Sequence, residues 1–421
     1  MQNTVEIITI GDELLIGQVL DTNSCWMEQE LNKIGFDVCY KTTVGDNEPD
    51  ILDAFERACS RVPVVLVTGG IGPTKDDITK KTLCRFFNSS LVFNDLVLNN
   101  IEQMMKFNNR PLNELTRQQA YVPDNCEIIQ NRLGTAPITW FERNNVVLVS
   151  MPGVPYEMKG AMAVDILPRL KNRFNDRECI LHQTFLVGNY SESMLAMYLE
   201  QFENELPQNI KLAYLPSYGF IRLRLSGKHP SETTLKQQME DQRIRLINYL
   251  RKDIVSETDQ PLEMLLGKNL RKANLTLSTA ESCTGGKIAS LITSVPGSSA
   301  YFKGSVIAYS NEIKQTVLNV TSSDLEQFGA VSEQVVRQMA VSVQQLFESD
   351  CAIATSGIAG PDGGSDDKPV GTVWIAVACR NKIISEKFNF SQCREGNIIR
   401  SSNTGMLMLL DLVKDQLKIF P

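Results

Sequence analysis

The sequence predicts an α/β protein built from three domains: an N-terminal three-layer doubly wound domain, a small α+β middle domain and a C-terminal α/β domain. Three observations carry this reading. Apolar β-branched runs alternate with amphipathic helical stretches at both ends of the chain. Glycine-rich turns fall where those runs end and helical patterns begin. The length of 421 residues exceeds one ordinary core, and length alone gives roughly two to four domains.

Residues 1–168 form the first domain. Val5–Ile10 reads as a strand, and Trp26, Met27 and Leu31 mark a helix closed by Gly35. Phe36–Val44 is a second strand, followed by a helix marked by Ile51, Leu52, Phe55, Ala58 and Cys59. Val64–Thr68 is a near-continuous apolar strand of the kind buried on both faces, and Val146–Ser150 is another. This βαβαβ order places ligands beyond the carboxyl ends of the strands.

Residues 169–257 lack glycine-rich loops. They read as strand Gln183–Gly188, a helix near Met194–Phe202, strands Lys211–Leu215 and Phe220–Ser226, helix Leu235–Leu250 and strand Ile254–Ser256. That βαββαβ-like order suggests a small α+β sandwich, and because Arg222 and Arg224 on its solvated face come without an aromatic RNA-binding pattern, a linking or dimerisation module is expected rather than RNA binding. Residues 258–421 run through helix Leu262–Ala273, the apolar stretch Thr276–Ala280, strand Ser305–Tyr309 and helix Glu333–Phe347. Strands Cys351–Thr355, Thr372–Cys379 and Ile383–Phe390 and a final helix follow.

Composition narrows the function. A hydrophobic content of 43% with 22% charged residues is that of a globular protein. The net charge of −7 argues against a basic nucleic-acid surface and against anionic membranes as partners. No apolar run approaches the ~20 residues of a membrane span, and Met1–Glu6 shows no basic n-region ahead of an apolar stretch, so a signal peptide is not expected. Ten scattered cysteines without a C-x-x-C pair fit free thiols in a cytoplasmic protein. The two histidines, His182 and His229, lie far from every glycine-rich motif, so a serine–histidine or multi-histidine metal site is not expected.

The N-terminal motifs sit at three strand ends: Gly11-Asp12-Glu13, Gly45-Asp46-Asn47 and Gly69-Gly70-Ile71-Gly72-Pro73-Thr74-Lys75-Asp76-Asp77. The last matches neither a Walker A sequence nor a dinucleotide fingerprint. It offers backbone N–H groups to phosphate with carboxylates directly behind, and Asp46, Asp76 and Asp77 are candidate ligands for Mg²⁺ or another divalent cation. As an equal alternative, Asp76 and Asp77 cap the helix that starts near Ile78. Met151–Met158 reads as a rigid strand-to-helix turn at the pocket edge, with Glu157 able to add a carboxylate.

In the C-terminal region, Thr279-Ala280-Glu281-Ser282-Cys283-Thr284-Gly285-Gly286-Lys287 holds small hydroxyl and thiol side chains where a strand turns into a helix. Free N–H groups at that helix start are expected to meet an anion or a developing oxyanion. Ser282 needs a base, and Lys314 is the candidate because a desolvated lysine titrates near neutrality. Cys283 is the rival nucleophile. The loop Gly357–Gly364 is able to wrap a sugar phosphate.

In this order, TAESCTGG, AYSNEIK, FGAVSE, SGIAGPDGG and KPVGTVW resemble the C-terminal domain of the competence/damage-inducible CinA family. GDELLIGQVLDTN, TGGIGPTKDD and MPGVPYEM resemble the same family's molybdopterin-binding-like domain. The resemblance covers essentially the whole chain. It implies a nicotinamide mononucleotide amidase that needs no metal, with Ser282 as nucleophile and Tyr309 and Lys314 as the other catalytic residues. Cys283, Thr284, Gly285, Gly286, Asn311, Ser356, Gly357, Gly360 and Arg394 would bind substrate, Arg400 being the alternative to Arg394. For the N-terminal domain it implies metal-dependent ADP-ribose pyrophosphatase activity, or nucleotide or pterin binding without turnover. The residues concerned are Gly11, Asp12, Glu13, Asn23, Gly69, Gly70, Gly72, Pro73, Thr74 and Gly153. A KH-like middle domain and a homodimer complete the expectation.

Overall fold

The structure, a computed structural model, describes residues 3–74, 76–174, 179–188, 190–391 and 393–417. Lys75 of the N-terminal glycine-rich loop and Gln392 beside Arg394 lie outside them. The chain forms two compact units, Met1–Leu181 with Gly227–Gln237 and His182–Ser226 with Gln238–Pro421.

The first unit contains a six-stranded sheet in the order Asp37–Val44, Thr4–Ile10, Val64–Thr68, Val146–Met151, Ile138–Arg143, Glu127–Ile129. The first four strands are parallel and the last two join antiparallel. Val64–Thr68 is buried at every residue, as its unbroken apolar run requires. Helix Thr22–Lys33 begins at Asp21, whose carboxylate accepts the Ser24 N–H at 2.9 Å, and packs Met27 and Leu31 on one face. Helix Glu48–Arg61 buries Ile51, Ala54, Phe55 and Ala58, a 3.6-residue stripe, on the other. The antiparallel edge extends the parallel core read from the sequence, and Leu91–Phe93 pairs antiparallel with Tyr121–Pro123 in a separate two-stranded sheet.

A four-stranded sheet follows in the order Ile210–Ser217, Phe220–His229, Cys179–Val187, Ile254–Ser256. With helices Glu192–Asn204 and Glu232–Leu250 it has the βαββαβ order. Ile221, Leu223 and Leu225 are buried while Arg224 is exposed, the period-2 alternation of a half-buried strand.

The C-terminal sheet runs Phe302–Ile307, Leu277–Glu281, Cys351–Gly357, Thr372–Cys379, Lys382–Asn389, with the first three strands parallel and the last two antiparallel. Helix Glu333–Leu346 covers one face through Val335, Val336, Met339, Ala340 and Val343. Helices Leu262–Ala273 and Arg394–Leu417 cover the other. Among the described residues no helix is long and apolar enough to cross a membrane.

Candidate active site

Parallel register decides which side chains meet. Glu281 pairs with Ile307 on one neighbour and with Thr355 on the other. Ser282 and Ala308 therefore follow the ends of two adjacent strands, and Ser356 lies near the end of the third. Ser282 is fixed there by its own N–H, which donates to the Thr355 carbonyl at 3.0 Å. After Ala308, Ser310 caps the helix Asn311–Thr316, its hydroxyl accepting the Ile313 N–H at 3.3 Å. One turn into that helix, Lys314 points back into the protein.

Lys314 Nζ lies 3.1 Å from Ser282 Oγ and donates to the Ala308 carbonyl at 2.8 Å. The residue is only 2% exposed. Burial holds its pKa below the ordinary lysine range, and among the described residues no carboxylate pairs with it to restore the charge. A buried amine within hydrogen-bond reach of a buried hydroxyl is the geometry of a serine–lysine nucleophile and base. Cys283 is buried too, and burial pushes its thiol up to about 12, which makes it a poor nucleophile near neutral pH.

The helix start after Ser282 differs from expectation. Its N–H groups are not open to an anion. The buried Glu281 carboxylate accepts the N–H groups of Gly286 at 3.0 Å, Ile288 at 3.0 Å and Ala289 at 2.8 Å. The sequence alone assigns Glu281 no role, although it stands in the motif itself. The Thr284 N–H has no protein acceptor among the described residues and the Cys283 N–H meets only its own sulfur, so both remain able to serve an oxyanion. Gly286, at φ 93°, brings a Cβ to 2.9 Å of Ile307 if replaced, so the turn closes tightly over the neighbouring strand. The Thr284 hydroxyl is tied to Thr355 Oγ1 at 2.8 Å.

The remaining residues form the rim. Arg394 donates to the Gly360 carbonyl at 2.7 Å and to the Tyr309 hydroxyl at 3.0 Å. Tyr309 is 63% exposed, and this hydroxyl meets Arg394 rather than Lys314. Arg400 instead stacks over the Tyr218 ring. Asn311 is exposed at the first turn of its helix. Ser356 is buried with its hydroxyl donated to the Ala330 carbonyl at 2.6 Å, so it braces the glycine-rich loop. Buried Asn397, unremarked in the sequence, fastens the same loop by donating to Ala359 and Ser391 carbonyls and accepting the Ser391 N–H.

In the N-terminal unit, a cavity of about 420 Å³ opens at the carboxyl ends of the parallel strands. Gly11, Glu13, Asn23, Asp46, Gly69, Gly70, Gly72, Pro73, Asp76, Asp77 and Gly153 line it. Gly69, at φ 110°, would place a Cβ 2.1 Å from the Ile10 carbonyl oxygen, so only glycine fits. Asn23 donates to the Thr68 hydroxyl and the Gly153 carbonyl, leaving its buried Oδ1 without a partner among the described residues. Glu157 also lines the cavity, held by the Asn131 amide at 2.7 Å, and burial raises its pKa.

Two expectations change here. Asp77 caps no helix: one oxygen accepts the Gly72 N–H at 2.7 Å, and the other accepts the Thr74 N–H at 2.9 Å and the Thr74 hydroxyl. The loop N–H groups of Gly72 and Thr74 are thereby filled, not free for phosphate. Asp12 and Asp46 each accept the other's N–H, at 3.2 and 3.1 Å. Burial raises the Asp46 pKa, the Asp12 N–H works against this, and the charges of Asp12, Glu13 and Asp76 add to the rise. Among the described residues no group of three or more His, Cys, Asp or Glu is arranged to hold a metal unaided. The donor set suits a hard cation only in part. Asp46 and Asp76 remain as oxygen ligands, the number Mg²⁺ takes when phosphates and water fill its shell, while Asp77 is committed to the loop.

Comparison with known proteins agrees with this architecture at the family level. Residues 259–413 match the model of the CinA C-terminal domain, and residues 6–172 match that of a probable molybdopterin binding domain. A CinA-like protein of Flavobacterium psychrophilum is 46% identical over 96% of this chain and 97% of its own. One from Cytophaga hutchinsonii is 44% identical over 98% of each. A solved competence/damage-inducible protein from Agrobacterium tumefaciens is 37% identical, covering 36% of this chain and 93% of its own, with a TM-score of 0.35.

Proposed function

Because the chain belongs to the CinA family, we propose that its C-terminal domain hydrolyses the carboxamide of nicotinamide mononucleotide to the acid, releasing ammonia. The buried Ser282–Lys314 pair, 3.1 Å apart, carries the reading. Neutral Lys314 accepts the Ser282 proton as Oγ attacks the amide carbon, and the N–H groups of Cys283 and Thr284 receive the oxyanion. The Lys314 ammonium returns the proton to the departing amine, leaving an ester on Ser282. A water activated by the again-neutral Lys314 releases the acid. Glu281 keeps the nucleophile turn in place while remaining hydrogen-bonded to backbone. Tyr309, tied to Arg394, serves the substrate side of the site.

The proposal extends to the N-terminal cavity, with ADP-ribose as substrate. Asp46 and Asp76 would hold a divalent cation, which supplies charge neutralisation for a pyrophosphate. Burial and then the charges of Asp12, Glu13 and Asp76 raise the Asp46 pKa, and a cation there would relieve that repulsion. A homodimer is part of the same reading.

Ammonia release from nicotinamide mononucleotide tests the central step. Ser282→Ala is expected to lower turnover by about 10³-fold or more, while Cys283→Ala keeps most of it. The reverse pattern would assign the chemistry to the thiol. For the N-terminal site, ADP-ribose cleavage is expected to disappear with chelator; binding without cleavage under every divalent metal tried would reduce that domain to a binding module.

A further inference from the structure

Cys351 and Cys379 lie directly opposite one another on two antiparallel strands of the C-terminal sheet, Cys351–Gly357 and Thr372–Cys379. Both are fully buried, in the apolar cluster shared with helices Leu262–Ala273 and Arg394–Leu417. Their sulfurs are 3.0 Å apart, with the Cys351 thiol donating to Cys379. Neither takes part in the chemistry assigned to Ser282 and Lys314.

Strand register explains the contact. The Cys351 N–H turns away from Cys379 and donates to the Thr276 carbonyl at 2.8 Å, while the Arg380 N–H closes the next rung on the Asp350 carbonyl at 2.6 Å. Cys351 and Cys379 therefore form a non-hydrogen-bonded antiparallel pair, in which facing Cα atoms approach to about 4.5 Å. That separation falls within the span of a disulfide. A single buried cysteine often serves a core as a small hydrophobe. Two on one rung, already in contact, are placed for a bond between them.

The pair also lies close to solvent. Cys379 ends its strand, and Arg380 and Asn381 of the turn that follows are exposed. A cavity of about 540 Å³ at the same strand ends is lined in part by Asp350, Ala378 and Arg380, the chain neighbours of the two cysteines. Local opening of these strand ends admits a small solute. The hydrogen bond from Cys351 holds the Cys379 thiol below its ordinary range, with the Arg380 charge assisting and burial opposing, so Cys379 ionises before Cys351.

We propose that Cys351 and Cys379 are a redox modification site, closing a reversible cross-strand disulfide that braces the sheet when the folded protein meets hydrogen peroxide. The Cys379 thiolate attacks one peroxide oxygen, the O–O bond breaks, and hydroxide leaves a sulfenic acid behind. The deprotonated Cys351 sulfur then attacks the Cys379 sulfur, and the S–O bond breaks with loss of a second hydroxide. The two thiol protons convert both hydroxides to water. A thiol reductant reopens the bond by exchange. The strand it ties down is the one whose Thr355 carbonyl holds the Ser282 N–H.

Trypsin gives a direct test. Lys368 precedes Pro369, a bond trypsin leaves intact, so both cysteines and no others fall in the peptide Gln338–Arg380. The full-length folded protein is treated with hydrogen peroxide, quenched, unfolded, alkylated and digested. The peptide is expected to be lighter by two hydrogens and to carry no alkyl group, and dithiothreitol before alkylation to restore both thiols. A peptide still fully alkylated under peroxide that oxidises the exposed Cys25 would overturn the proposal, as would a linkage that forms only in urea. Linked protein is expected to melt about 5 °C or more above the reduced form, a gain that dithiothreitol reverses and Cys379→Ala lacks. Linked protein that melts no higher than reduced protein would overturn the bracing role.

Discussion

At the scale of single residues, the proposed chemistry depends on Lys314. A lysine held below its ordinary pKa binds fewer protons folded than unfolded, between the lowered value and about 10.4. In that window the stability of the wild-type fold rises with pH. The desolvation cost is greatest below the folded pKa and fades as pH approaches the unfolded value. Lys314→Met is therefore expected to stabilise the protein at neutral pH by about 1–2 kcal/mol, while abolishing amide hydrolysis. The gain should shrink as pH is raised. Thermal melts across pH check this, and a variant less stable than wild type at every pH would show that Lys314 is held for packing. Cys283, the residue after Ser282, is kept protonated by burial, so its backbone N–H rather than its thiol is what it would offer the site.

At the scale of elements, both candidate sites share a device: a carboxylate from the protein fills backbone N–H groups that a glycine-rich turn exposes. Glu281 does so at the helix start after Ser282, and Asp77 within the loop after strand Val64–Thr68. Glu281→Gln turns an amide nitrogen toward N–H donors and is expected to cost about 2–3 kcal/mol, with turnover falling because the Ser282 turn loosens. A melt within experimental error of wild type would remove Glu281 from that role. Asp77→Asn should loosen the loop and impair ADP-ribose cleavage while sparing ammonia release.

How far the sequence disclosed these elements follows from the physics. The strand ends were readable because apolar periodicity and glycine turns are local signals, and the pairing of Ser282 with Lys314 was reachable because each follows a recognisable strand. The carboxylates were not. A glutamate or aspartate next to a glycine turn can coordinate a cation, cap a helix or fill a nest, and the spacing is the same in all three. Only the positions of the N–H groups decide. The contact between Tyr309 and Arg394, 85 positions apart, and that of Asn397 with the Ala359 carbonyl, 38 positions away, had no local signal either.

At the scale of the whole molecule, the two sites lie in different compact units, so their chemistries are expected to be separable. Asp46→Asn should leave ammonia release unchanged, and Ser282→Ala should leave ADP-ribose cleavage unchanged. A fragment beginning near residue 258 holds every residue assigned to the amidase. It gives up Leu186 and Val255, which pack in the same core as Leu262, Leu266 and Leu410. The fragment is expected to retain activity with a lower melting temperature. A folded fragment without activity would show that residues before 258 complete the site.

The most direct test of the central claim is the pH dependence of kcat/KM for ammonia release from nicotinamide mononucleotide. With Lys314 as base, the rate should rise with pH through a pKa below the ordinary lysine range, and Lys314→Arg, which keeps the charge but cannot give up its proton, should be nearly inactive throughout. A flat profile, or a Lys314→Arg variant with near-normal turnover, would contradict the serine–lysine mechanism.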